Sequence, residues 1–128
     1  IYPGSQQQPV IIFDDFTTAF KWVDFPFKAK SSAMKMLTPK SSVDVELKYV
    51  FYAMLGIRFV PQDHARHWIS QYAAFRVAVP PIEVQREAVR VLDLFTDLES
   101  ELKRELAARR LQYEHYRDHI LSFEDRSV

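Results

Sequence analysis

Two adjacent prolines, Pro80 and Pro81, open about forty residues of helical patterning that runs through Leu92, Leu98, Leu102, Tyr113, Tyr116 and Ile120 to Phe123. Proline suits the residues just before or at a first helical turn, where no amide donor is needed, and Glu83 then sits near the positive helix end. Val84, Ala88, Val91, Leu92 and Phe95 fall at i, i+4, i+7, i+8 and i+11 on one face, with Glu83, Arg86, Glu87, Arg90 and Asp93 elsewhere. Thr96-Asp97-Leu98-Glu99 has a capping-box pattern, which predicts that a second helix restarts at Thr96. Beyond it Leu98, Leu102, Leu106, Tyr113, Tyr116, Ile120 and Phe123 keep a spacing near 3.6 only with Arg109 in the stripe, which a dry coiled-coil seam would not contain. An amphipathic helix of this length outruns a chain of 128 residues. Its stripe is therefore expected to bury on a partner, and those seven apolar and aromatic residues are the candidate partner-binding set.

The helix leaves about eighty residues for a globular core, so a division into residues 1–80 and 81–128 is expected. The absence of cysteine fits a reducing cytosol and removes thiolate catalysis and cysteine zinc sites. There is no run of eighteen apolar residues and no basic-then-apolar start, which predicts a soluble cytoplasmic protein with no membrane partner. Ile1 in place of an initiator methionine, and two glycines in the whole chain, suggest a piece of something longer. Net charge is zero, yet residues 1–80 carry six Lys and three Arg against five Asp and one Glu, net +3, and residues 81–128 are net −3. Positive charge is thus enriched in the globular part, where a polyanion could be met.

Val10 to Phe13, bounded by Pro9 and Asp14-Asp15, reads as a buried strand. Val23 to Lys30 alternates as a half-buried strand, with Pro26 placing it at an edge or bulge. Ala33 to Leu37 is a third strand. Ser41 with Asp44 predicts a capped helix whose Leu47, Val50, Phe51, Met54 and Leu55 share one face, ending at Gly56. Arg58 to Tyr72 reads as a loop or short irregular helix, and Phe75 to Val79 as a final strand. The expected fold is α+β: a small mixed sheet with one packed helix, followed by a long, coiled-coil-like helical region.

Catalytic constellations are absent. His64 with His67 and His115 with His119 have spacings that could present two imidazoles, but a charged amphipathic helix accounts for the second pair, and no metal or other cofactor is expected. Asp14-Asp15 is explained by a strand-terminal turn. No glycine-rich phosphate loop and no nucleophile with a base occur, so an enzyme is not expected.

The segment from Val79 through Pro80, Pro81, Ile82, Glu83, Val84, Gln85, Arg86 and Glu87 to Asp93, with Phe95-Thr96, Glu105 to Asp118, and Leu121-Ser122-Phe123, resembles the conserved helical region of the specificity subunits of type I restriction-modification enzymes. Pro9 to Ala19, Lys21 to Phe25, Phe27 to Met36, and His67 to Tyr72 are similar to the later half of a target recognition domain in the IC group of that family. The resemblance covers about residues 9–123. A complete member carries two recognition domains and two helical regions, so this chain resembles most of one half-unit, without the segment preceding the Pro9 strand. Ala65-Arg66-His67 also stands where a more basic loop is expected before Trp68.

The resemblance implies a noncatalytic protein that reads a bipartite site in double-stranded DNA for methylation subunits and, through them, restriction subunits. Base flipping, methyl transfer and ATP-driven cleavage belong to those subunits. Base edges must be read by side chains while cations and polar groups hold phosphates. Thr17, Thr18, Lys21, Lys28, Lys30, Ser31, Ser32 and Lys35 form one candidate DNA-binding set, and Arg66, His67, Ser70 and Gln71 a second, with Gln71 able to bond adenine bidentately. Trp22 could lie on sugar or in the core. A helix from Asp97 to Phe123 spans about 40 Å, comparable with about a dozen base pairs, and so could space two recognition modules. It would pair antiparallel with a second specificity half or a second copy. The competing expectation is a helix-mediated scaffold that binds no DNA; a metal-dependent hydrolase is the third and weakest.

Overall fold

The structure is a computed structural model and describes residues 8–58 and 72–123. Two compact units divide the chain, Ile1–Arg90 and Val91–Val128.

The first unit is built on β1 (Val10–Asp14), which pairs antiparallel with β2 (Phe20–Val23) on one side and β3 (Met34–Leu37) on the other. The uninterrupted apolar run Val10-Ile11-Ile12-Phe13 takes the centre, hydrogen-bonded along both of its edges. Ile11 and Phe13 are fully buried. In register, Ile11 lies opposite Trp22 and Leu37, and Phe13 opposite Phe20 and Lys35, so these six residues share one face of the sheet. Helix α1 (Leu47–Leu55) covers that face, bringing Met54, Leu47, Val50 and Phe51 onto Ile11 and Phe13. Tyr72 closes the core with its ring centroid 4.5 Å from that of Phe13, and burial pushes its phenol above its ordinary pKa.

The α+β class expected from the sequence holds, with four local corrections. The second strand is Phe20–Val23, not Val23 to Lys30. Pro26 has no amide to give a ladder, and after Val23 only Phe27 makes an isolated bridge. Phe75 to Val79 is not a strand. Tyr72–Ala74 is a 3-10 turn, and the carbonyls that follow go to side chains: Ala78 O accepts from Tyr49 Oη at 2.9 Å, and Pro80 O from Gln85 Nε2 at 2.8 Å. Without a fourth strand every pairing described is antiparallel, and the sheet is not mixed.

The third correction concerns α1, which starts at Leu47 rather than near Ser41. Ser41 lies in a turn closed by the Val43 N–H on Lys40 O, and the N-cap residue Glu46 makes no side-chain cap bond. The Glu46 N–H is satisfied from far along the chain by Gln85 Oε1 at 2.9 Å.

The fourth is that one helix, α2 (Ile82–Leu121), runs unbroken for 40 residues, about 60 Å at 1.5 Å per residue. Thr96 does not restart it. Its hydroxyl donates to Leu92 O at 2.9 Å, the back-bond of a threonine inside a helix. The helix begins as the prolines foretold, with the Val84 and Gln85 N–H groups donating to Pro81 O. Among the described residues no helix is long and apolar enough to cross a membrane. Replacing fully buried Phe13 by Ala should lower stability of the first unit by about 3–5 kcal/mol, whereas Lys21→Ala should stay within about 0.5 kcal/mol; urea unfolding of the full chain followed by tryptophan fluorescence measures both.

Candidate nucleic-acid interface

The β1–β2 hairpin is closed by a turn that the Asp14 carboxylate organises. Asp14 Oδ1 accepts the N–H groups of Phe16 (2.8 Å) and Thr17 (3.0 Å), while the Thr18 N–H donates to Asp14 O and the Asp14 N–H to Ala19 O. The Thr17 Oγ1 accepts from the Ala19 N–H at 3.3 Å. Hydrogen bonds from the Thr17 and Phe16 amides hold the Asp14 carboxyl below its ordinary value of 3.8, against a small opposing effect of burial. Thr18 has φ 59, left-handed backbone, a conformation that costs a β-branched residue about 1–2 kcal/mol and survives only where the surroundings enforce it.

A second turn lies at the same end of the sheet. The Ser31 Oγ accepts from the Ala33 N–H at 3.2 Å and Ser31 O from the Met34 N–H at 3.3 Å. The Asp15 N–H donates to Ala33 O at 2.9 Å and joins the two turns. Asp15 itself is fully buried between them. Of the residues expected to meet DNA, the structure thus brings Thr17, Thr18, Ser31 and Ser32 together; all but half-buried Thr18 are exposed. Thr17 and Ser31 also shape their own turns.

The four lysines do not form one patch. Lys21 lies opposite Ile12 and Lys35 opposite Phe13, on opposite faces of the sheet. Lys21 and Lys28 rim a groove of about 430 Å³ on the face away from α1, floored by Ile12, Val23, Met34, Phe25 and Phe27, with Asp14 at its edge. Half-buried Lys35 is on the α1 face, and exposed Lys30 leads into the Ser31 turn. Trp22 belongs to the core, with its ring centroid 6.0 Å from Phe51. Lys48 of α1 stands 5.3 Å over the Trp22 ring, a cation on the α1 face that the sequence reading missed. Arg66, His67, Ser70 and Gln71 lie outside the described residues, as does His64.

In the second unit the expected partner-binding stripe is exposed: Leu98 49%, Leu102 56%, Leu106 52%, Tyr113 66%, Tyr116 55%, Ile120 65% and Phe123 83%. Phe123 lies two residues past the helix end. Arg109, within the stripe, is held by Gln112 at 3.1 Å and Glu105 at 3.8 Å. Among the described residues no three His, Cys, Asp or Glu side chains gather to hold a metal ion.

Over its whole length the chain is 50% identical to the specificity subunit of the type I restriction enzymes EcoR124I and EcoR124II of Escherichia coli, of which it covers 34%. Along its whole length the chain is therefore similar to one segment of a type I restriction enzyme specificity subunit. Part of it, 66%, is 28% identical to the C-terminus of a putative type I specificity subunit of Mycoplasma pneumoniae, covering 61% of that protein. A putative type I restriction enzyme specificity subunit of Haemophilus influenzae is 28% identical over 61% of the chain. The chain spans about a third of the length of the Escherichia coli relative. No protein-family model matches it, and no solved structure gives a significant match.

Because the folded Asp14 carboxyl titrates below 3.8, its contribution to the hairpin is complete above that pH and is lost as pH falls through the lowered value. Asp14→Asn should therefore flatten the acid limb of a stability–pH curve below about pH 4 and leave its shape at pH 6–8 unchanged, as thermal melts across that range would record.

Proposed function

We propose that the chain is a noncatalytic DNA-recognition segment of a type I restriction enzyme's specificity subunit, with residues 1–80 reading duplex DNA and residues 81–128 acting as spacer and dock. The observation that carries this reading is 50% identity along the entire chain to the Escherichia coli specificity subunit. The geometry supports it: two hydroxyl-bearing turns meet at one end of the sheet, with Lys28 and Lys30 on the intervening segment. Hydroxyls and lysines of this kind hold phosphates, and a rigid turn can bring a side chain to a base edge. The partners are double-stranded DNA with a bipartite site, the methylation subunits, and the restriction subunits reached through them, in the cytoplasm. Methylation and cleavage are directed by this protein and carried out by those partners.

The division of Lys21 and Lys35 between two faces refines the proposal. Both cannot follow one phosphate run, so Lys28, Lys30, Ser31 and Ser32 with the Thr17-Thr18 turn form the contact edge. In a complex of the full specificity subunit with its methylation subunits, Lys28→Ala should weaken binding to all duplexes alike and lower the slope of log K against log salt by about one unit. Gln71→Ala should instead cost about 1–3 kcal/mol on the preferred site and little on random DNA. A salt-independent affinity would favour a scaffold that binds no DNA.

The exposed stripe of α2 supports pairing with the second specificity half or, for the isolated chain, a second copy in antiparallel arrangement. Leu102→Glu would bury an unpaired charge on pairing. Sedimentation should find the wild-type chain dimeric at high micromolar concentration and this variant shifted toward monomer.

A further inference from the structure

Gln85 is the one fully buried side chain of α2, 1% exposed, on a helix whose other residues are half-buried or exposed. Its amide uses both ends. Oε1 accepts the Glu46 N–H at 2.9 Å; Nε2 donates to Pro80 O at 2.8 Å and to Asp44 O at 3.4 Å. Three backbone groups from two distant stretches thus converge on one side chain. One of them is the amide at the start of α1, which has no local side-chain cap. Beside it the Arg86 Nε meets Glu46 Oε1 at 3.1 Å, and the Tyr49 hydroxyl ties down Ala78 O.

A leucine of similar volume could fill this position by apolar burial alone. An amide bonded in three directions is satisfied in one orientation of the helix and not in neighbouring ones, because buried polar groups left unpaired are costly. The lever is long. A tilt of about 3° at the first turn moves the far end of a helix about 60 Å long by about 3 Å, close to the rise of one base pair, about 3.4 Å.

We infer that Gln85 is a positioning residue: it fixes the orientation of the first turn of α2 against the start of α1, and through the helix it sets the number of base pairs tolerated between the two halves of the DNA site. This rests on the DNA-recognition reading above and adds a specific residue to it. Nothing in the inference requires Gln85 to touch DNA.

The test uses the full specificity subunit assembled with its methylation subunits, with the target first identified by mapping methylated adenines. Methylation rates are measured on duplexes whose half-sites are constant and whose spacer is lengthened or shortened by one and two base pairs. The wild-type complex should prefer one spacer. In Gln85→Leu the ratio of rates between that spacer and its neighbours should fall by about tenfold or more, as expected when reacting groups are misplaced by an ångström or so, while selectivity for half-site bases is retained. Gln85→Glu keeps an acceptor for the Glu46 N–H but loses both donated bonds; it should show the same loss of spacer discrimination and serves as the readout if the leucine variant does not fold. Equal loss of rate on every spacer in the variant that folds, or an unchanged spacer profile, overturns the inference and leaves DNA recognition standing. Failure of both variants to fold overturns it too, since Gln85 is then structural only. A wild-type complex that shows no site preference overturns the underlying reading instead.

Discussion

Pro80 and Pro81 bring no amide hydrogen to the place where α2 begins, and the backbone groups around them must find partners elsewhere. Gln85 supplies them. Its amide reaches Pro80 O, Asp44 O and the Glu46 N–H, so that the start of α2 and the start of α1 become one hydrogen-bonded unit. The position of α1 in turn decides which face of β1 is dry: Met54, Val50 and Phe51 lie over Ile11 and Phe13. The opposite face carries Ile12 and Lys21 and leaves the groove open.

The sequence was readable where a local pattern is also the structural cause. The β1 run, four of the five residues expected on the core face of α1 and the prolines before α2 appear as expected, because burial on one face is written into residue spacing; Leu55, expected on that face, is 61% exposed at the helix end. Misreadings arose where two local solutions compete or where the partner is remote. Phe20-Lys21-Trp22-Val23 is nearly all apolar by composition, so alternation pointed to the cleaner pattern beginning at Val23, which Pro26 cannot sustain as a ladder. Ser41 offered a local cap, but Gln85, 39 residues from Glu46, provides the real one. Thr96 could cap a new helix or bond one turn back, and within a continuous helix it does the latter.

The candidate interface was legible in residue type and not in arrangement. Hydroxyls and lysines between Thr17 and Lys35 were identifiable as suited to phosphates. That Thr17-Thr18 and Ser31-Ser32 meet depends on the Asp15 to Ala33 hydrogen bond, and that Lys21 and Lys35 part company depends on strand register. Neither is visible without knowing that β1 lies between β2 and β3. The left-handed backbone at Thr18 was equally hidden, since no glycine or asparagine marks the turn. The proposed function gives this rigidity a rationale: a surface that reads DNA would gain from turns whose shape is set before contact.

The central claim, that the two-turn end of the sheet faces DNA while the α2 stripe faces protein, is tested most directly by site-specific photocrosslinking in the assembled enzyme. A photoreactive side chain placed at Ser32 should attach to the target duplex, and one at Leu106 should attach to another helix of the specificity assembly and not to DNA. Crosslinking of position 106 to DNA with none from position 32 would contradict the account.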